Sequence, residues 1–262
     1  MLKIYKKIEE INNKNEKVLS VFLTAGYPDR ENFVELALGV LDAGADMLEI
    51  GIPFSDPLAD GAVIQKSSHV AIENGVNLDT VFEFSRLIRA KTDKPLILMG
   101  YANPVFRYGV KRFLVDAVDC GIDGLIIPDI PLEEYDSFYP SDEILLDRIL
   151  LTTPQSGEER IKKIDCISSG FVYCVSVSGT TGVRNSFSDA EIKSLQNTRG
   201  LIKKNKMLVG FGISTVENIR QVSPFCDGVI VGSAVIKKLD ESGSSGVFDL
   251  VKTLKSGCRG LT

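Results

Sequence analysis

The chain has 262 residues, 44% of them hydrophobic and 25% charged, with a formal net charge of −5. That length suits one large core, and without a dense Lys/Arg block the composition excludes an extended nucleic-acid surface and favours small-molecule chemistry. The opening lysines alternate with acids, and no apolar run approaches membrane-spanning length, so neither a secretory leader nor a bilayer anchor is expected and the cytoplasm is the default location.

In chain order, the first 15 residues or so are expected to form a helix packed on the rest. "VLSVFLT" at 18–24 follows as a strand, and "ENFVELALGVLDAG" repeats apolar residues at helical spacing up to Gly44, a good C-terminal cap. "MLEIGI" at 47–52 is the next strand, followed by a loop rich in proline, serine and aspartate and then the helix "AVIQKSSHVAIENG". Further strands are expected at 95–100 (PLILMG), 124–130 (GLIIPDI), 148–153 (RILLTT), 171–176 (FVYCVS), 207–212 (MLVGFG) and 228–233 (GVIVGS). Pro140 should break any helix in 131–147. The patch "DESGSSGVFD" at 240–249 reads as a loop between two closing helices.

These eight runs are almost continuously apolar, as parallel strands covered on both faces are, and amphipathic stretches fill the gaps between them. Count and alternation predict an α/β fold, a single-domain (β/α)8 TIM barrel over residues 1–262. "GADMLEIG", "GIDGLIIPD" and "FCDGVIVGS" each place an aspartate just before a strand, an echo expected of barrel units of similar build.

In such a barrel the chemistry lies where strands end, so the segment "LEIGIPFSDPLADG" at 48–61 stands out. Glu49 sits between Leu48 and Ile50, where partial desolvation would raise its pKa and let it act first as acid and then as base; the alternative is a structural ion pair with a lysine. Asp60 precedes a helix, so it reads either as a functional acid or as an ordinary N-cap, and Asp56 as a turn former. "SGTTG" at 178–182, "GFGIS" at 210–214 and "VGSAV" at 231–235 are glycine loops at strand ends, the last two after the seventh and eighth strands. There, backbone N–H groups and a helix start near Ser233 can hold a phosphate.

Phe22, Tyr173 and Phe211 could wall a flat aromatic substrate, though aromatics at barrel ends are often only core. His69, the single histidine, falls within a helix and reads as structural, which leaves serine–histidine and metal–histidine chemistry without support. Cys120, Cys166, Cys174, Cys226 and Cys258 form no CxxC pair and suggest neither a disulfide framework nor a metal site.

The segment "LEIGIPFSDPLADG" resembles the signature of the tryptophan synthase α subunit family. The resemblance continues through "VFLTAGYP", "GVNLDTVF", "LMGYANPVFRYG", "GLIIPDIPLEE", "SVSGTTGVR", "GFGIS" and "DGVIVGSAVIK", in the family's order, from about residue 15 to 240. It implies cleavage of indole-3-glycerol phosphate into indole and glyceraldehyde 3-phosphate, with indole passed to a pyridoxal-phosphate-dependent β subunit in an α2β2 assembly. This chain itself would carry no cofactor and no metal.

By the same resemblance Glu49 moves protons and Asp60 holds the indole N–H. Gly182, Gly212, Gly232 and Ser233 bind the phosphate, with Gly210 and Phe211 shaping that edge. Phe22, Tyr101, Ile126, Leu151, Tyr173 and Thr181 surround the indole and glycerol, and Pro53, Asp56, Asn103, Pro104 and Phe106 belong to the face that meets the β subunit. Ala62 stands where the family often has proline, and Thr180 where valine is common. A stand-alone lyase releasing free indole, and a barrel that only activates a β subunit, are the competing readings; retention of both acids and of the phosphate loops disfavours the second.

Overall fold

A computed structural model describes residues 3–139, 145–176 and 186–260. Its strands are β1 (Val18–Thr24), β2 (Met47–Gly51), β3 (Leu96–Met99), β4 (Gly124–Ile126), β5 (Asp147–Arg148), β6 (Leu151–Thr152), β7 (Phe171–Val175), β8 (Lys206–Gly210) and β9 (Gly228–Val231). They form one sheet in the order β5-β4-β3-β2-β1-β9-β8-β7-β6, with parallel pairing throughout.

The sheet closes because β5 and β6 are two pieces of one strand. The Ile149 N–H donates to the Leu125 carbonyl at 3.0 Å, and the Tyr173 N–H to the Leu150 carbonyl at 2.9 Å. Residues 147–152 therefore bond to β4 with their first half and to β7 with their second. Here the structure refines the expected run at 148–153: the ladder is interrupted where the strand changes partner. The result is the (β/α)8 barrel that the alternating pattern predicts.

Side chains alternate across the barrel wall, as they must in strands of period two. Val18, Met47, Ile97, Ile126, Ile149, Phe171, Tyr173, Leu208 and Ile230 fill the interior. Leu19, Leu48, Leu98, Leu125, Val172, Val209 and Val229 face outward and pack beneath the helices. Burial on both faces explains why the strands read as unbroken apolar runs. The end of the barrel where strands begin is plugged by the helix Lys3–Asn12, whose Ile4, Ile8 and Ile11 join the interior cluster.

The three echoing aspartates share one job at that same end. Asp46 Oδ2 accepts the Leu19 N–H at 2.8 Å, Asp123 Oδ2 the Leu96 N–H at 2.9 Å, and Asp227 Oδ2 the Met207 N–H at 2.8 Å. Each satisfies an amide at the start of the neighbouring strand, and each carboxylate is held by a cation: Lys255, Arg89 and Arg199 respectively. The repeated Asp is thus a device for joining adjacent strands at their heads.

The segment 240–249 lies between two helices, as the sequence reading expects, but the break is a kink and not a loop. One helical run spans Ser233–Gly257 with a kink at Gly243, whose φ is +64°. A single glycine in the left-handed region bends the chain sharply enough that no longer loop is needed. Pro140 lies outside the described residues; ahead of it, a short helix ends at Phe138.

Candidate active site

At the opposite end of the barrel, where strands finish, side chains from five strands converge on a cleft. Glu49 projects into it from β2. Its register partner across the ladder is Phe22 of β1. Gly51, two residues on and on the same face, has no side chain, and a Cβ there would lie 2.4 Å from the Phe22 ring. The ring occupies the space that glycine leaves and forms a wall beside the carboxyl.

Glu49 is wholly buried. Its Oε1 accepts a hydrogen bond from the Ser20 hydroxyl at 2.8 Å, while Oε2 has no partner. Burial pushes the carboxyl up to about 7, and the Ser20 bond opposes that rise. Among the described residues no lysine lines the cleft, and the partner of Glu49 is Ser20 and not the lysine of the ion-pair alternative. A carboxyl with this pKa exchanges protons readily near neutrality.

Asp60 reaches the same cleft from the loop after β2. The N-cap of the following helix, Ala62–Glu73, is Gly61, and no side chain caps it. The Asp60 carboxylate instead accepts from the Tyr101 hydroxyl at 2.9 Å, and that hydroxyl accepts the Ala59 N–H at 3.1 Å. Burial pushes Asp60 up to about 6, against the pull of the Tyr101 bond. At neutral pH it is mostly charged, unlike Glu49, so the two acids are poised in different states.

The far side of the cleft is backbone-rich. Phe211 and Gly212 adopt successive positive φ values of 70° and 80°, which turns the chain sharply after β8. Ser176 fixes the turn by donating to the carbonyls of Gly210 and Phe211 at 2.8 and 2.6 Å. Gly212, Gly232 and Ser233 line this side, and the helix Ser233–Gly257 starts here with Gly232 as its N-cap. Free N–H groups and the positive end of the helix dipole favour an anion at this spot.

The remaining expected residues separate into groups. Phe22, Tyr173 and Phe211 line the cleft, with the last two rings edge-on at 6.1 Å between centroids. Tyr101 borders a smaller recess next door, shared with Asp60 and Phe22. Gly210 is a seat for Tyr173, because a Cβ there would fall 2.2 Å from the phenol oxygen. Ile126 packs inside the barrel and half-buried Leu151 packs against the same interior cluster; neither lines the cleft. Thr180, Thr181 and Gly182 lie outside the described residues.

Ile64, Met99, Ile213, Ile230 and Ala234 also line the cleft and were not singled out from the sequence. Met99 and Ile230 carried a usable signal, since each is an inward position near the end of its strand. Ile64 comes from a helix, and nothing in its local pattern marks it.

On the rim, Pro53 is half-buried and Asp56 exposed, and Leu58 between Asp56 and Asp60 is 90% exposed. Asn103 and Phe106 are exposed and Pro104 half-buried, and the Phe106 ring stands edge-on to Phe138 at 5.8 Å. The Tyr101–Asp60 bond and the Phe54–Tyr101 ring contact, 5.4 Å between centroids, join the two loops. His69 is an exposed residue beside Glu73 on the helix surface and does not line the cleft. Cys120, Cys174, Cys226 and Cys258 are buried, Cys166 is exposed, and all are free thiols. Among the described residues no cluster of His, Cys, Asp or Glu could hold a metal ion.

Comparison with known proteins gives one answer. A family profile described as "Tryptophan synthase alpha chain" matches residues 8–258. A protein of that description from Christiangramia forsetii is 42% identical over 258 residues, covering 98% of this chain and 99% of its own length. One from Flavobacterium johnsoniae is 40% identical, covering 97% of this chain and all of its own. Among solved structures, a tryptophan synthase alpha chain from Legionella pneumophila superposes with a TM-score of 0.90 at 34% identity, over the full length of both chains. A tryptophan synthase from M. tuberculosis in an open form gives 0.90 at 31% identity, over 99% of each chain.

Proposed function

The chain belongs to the tryptophan synthase alpha chain family, a family of lyases that cleave indole-3-glycerol phosphate, and we propose that Glu49 and Asp60 carry that cleavage here. The reaction breaks the bond between an indole ring carbon and the first carbon of the glycerol chain. Protonated Glu49 gives its proton to that ring carbon, and the positive charge that results settles on the ring nitrogen. The Asp60 carboxylate accepts the ring N–H and balances this charge. Glu49, now a carboxylate, takes the proton from the hydroxyl on that same first chain carbon, whose C–O becomes the aldehyde C=O. The carbon–carbon bond breaks, its electron pair returns to the ring, and the chain leaves as glyceraldehyde 3-phosphate. Glu49 ends the cycle protonated, as it began.

One observation carries this reading: a wholly buried carboxyl with a free oxygen, pushed to about 7, shares a cleft with a second, more acidic carboxyl. The apolar walls of Phe22, Ile64, Met99 and Tyr173 suit a flat ring between the two acids. Gly212, Gly232 and Ser233 then take the phosphate at the helix start, and the family resemblance adds Gly182 to the phosphate contacts and Thr181 to those of the indole and glycerol.

We further assign the rim formed by Pro53, Asp56, Asn103, Pro104 and Phe106 to contact with a tryptophan synthase β subunit, in an α2β2 assembly. Pyridoxal phosphate belongs to that partner, and the chemistry proposed for this chain uses its side chains alone. No helix among the described residues is long and apolar enough to cross a membrane, and a cytoplasmic site fits the free cysteines.

The test is product analysis with indole-3-glycerol phosphate. The wild-type chain should release indole and glyceraldehyde 3-phosphate in equal amounts, and Glu49→Gln should lose roughly a thousandfold in turnover. Turnover of the variant close to wild type would end the assignment.

A further inference from the structure

We infer that Ser20 is a positioning residue for this reaction, fixing Oε2 of Glu49 as the oxygen that carries the mobile proton. The inference rests on Glu49 being the proton-moving group. Ser20 and Glu49 stand on adjacent strands in a diagonal relation, since the ladder pairs Ser20 with Met47 and Phe22 with Glu49. Both side chains point inward. Ser20 is wholly buried, and its hydroxyl donates to Glu49 Oε1 at 2.8 Å.

Among the described residues Ser20 is the one hydrogen-bond partner that orients Glu49. Phe22 from β1, Met99 from β3 and Ile230 from β9 offer only apolar surface to the cleft. The titratable groups facing Glu49 there are Tyr173 from β7 and Asp60 from the loop, and neither hydrogen-bonds it. A carboxyl with one oxygen already accepting a bond keeps its own hydrogen on the other. Rotation that would exchange the two oxygens has to break the serine bond of a wholly buried carboxyl. Oε2 is therefore presented, proton in place, toward the substrate volume. Because a hydroxyl donor favours the anion, Ser20 also keeps Glu49 from rising so far that it cannot act as a base.

The experiment compares Ser20→Ala, Ser20→Thr and Glu49→Gln in the full-length protein. Two quantities are read across pH: kcat and KM for indole-3-glycerol phosphate cleavage, and the infrared band of the protonated buried carboxyl, assigned by its loss in Glu49→Gln. In Ser20→Ala the band midpoint should move up by about one pH unit, and kcat at neutral pH should fall about tenfold. KM should stay within about twofold, and Ser20→Thr, which keeps the hydroxyl, should restore midpoint and rate. An unmoved midpoint in Ser20→Ala overturns the inference, as does a loss of kcat without a titration shift, which would mark Ser20 as packing only. If Glu49→Gln itself keeps turnover, the assignment of Glu49 has failed, and the titration shift still reports separately on the serine bond.

Discussion

The Tyr101 hydroxyl bonds both the Asp60 carboxylate, at 2.9 Å, and the Ala59 amide, at 3.1 Å, so one phenol holds the backbone and the functional group of a neighbouring loop. Tyr101 follows β3 and the Asp60 loop follows β2, and these strands are adjacent in the barrel. Loop order and the charge of Asp60 are therefore coupled through a single atom.

Tyr101→Phe tests that coupling. Losing the bond removes a group that favours the anion, so Asp60 should rise above its value of about 6. The acid limb of the pH–rate profile should move up by about one unit, and turnover at pH 7 should fall about tenfold. Steady-state rates between pH 5 and 9 check it, and an unchanged acid limb would show that the bond does not control Asp60.

Glu49 sets a stability cost that a neutral residue removes. Its folded value of about 7 lies above its ordinary 4.5, so the stability it contributes is full below pH 4.5 and is lost as pH rises through 7. Glu49→Gln should lack this loss and gain up to about 3 kcal/mol over wild type at pH 8, with little gain at pH 4. Asp60 and Asp147, each pushed to about 6 by burial, are common to both proteins and cancel in the comparison. Urea midpoints at the two pH values read the difference, and equal gains at both would contradict it.

Anion recognition through backbone groups is tested by Gly232→Ala against Lys206→Ala. A Cβ at Gly232 would sit 3.4 Å from Phe22, an ordinary contact that the fold tolerates, yet it projects into the cleft lining. Glycerol 3-phosphate should bind about tenfold more weakly to this variant. Lys206 begins β8 at the plugged end of the barrel and lies over Tyr5, so its removal should leave that affinity unchanged. Calorimetric titration showing the reverse order would place the anion elsewhere.

For the partner face, Phe106→Glu is the informative change. Phe106 is 59% exposed and does not line the cleft, and with Leu58 at 90% it gives the rim an apolar character. Addition of a tryptophan synthase β subunit should raise the wild-type cleavage rate, largely by favouring the closed Asp60 loop. Phe106→Glu should keep the basal rate and lose most of the increase. Equal activation of both proteins would move the contact to another face.

Much of this was legible in the sequence because it depends on local pattern. Eight apolar runs, the glycine loops and the position of Glu49 within a strand all follow from the period of strands and from where barrels put their chemistry. The aspartate echo was visible, but its purpose was not, since each carboxylate serves the strand next door. The Tyr101–Asp60 and Ser20–Glu49 bonds join residues 41 and 29 positions apart, a distance at which no local pattern operates. Ile126 and Leu151 were expected at the substrate and pack with the barrel interior, because depth along a strand decides which inward residues reach the mouth. The kink at Gly243 was read as a loop since composition alone does not distinguish one left-handed glycine from a longer break.

The divided strand at 147–152 gives the barrel wall a seam. β1 and β2 share five register pairs, as do β7 and β8, while β4–β5, β6–β7 and β8–β9 share only two each, and two of these three short ladders meet at the divided strand. Sub-global opening starts where short ladders adjoin, so amide protons at Ile149 and Tyr173 should exchange with deuterium well before that of Leu48, which lies between ladders of five and four pairs. Such opening parts the cylinder between its fourth and sixth strand segments and leaves the β1–β9 ladder as the back of a hinge. Tyr173 stands on one lip of that seam, so the cleft wall behind the substrate is also the part of the hoop that gives way first.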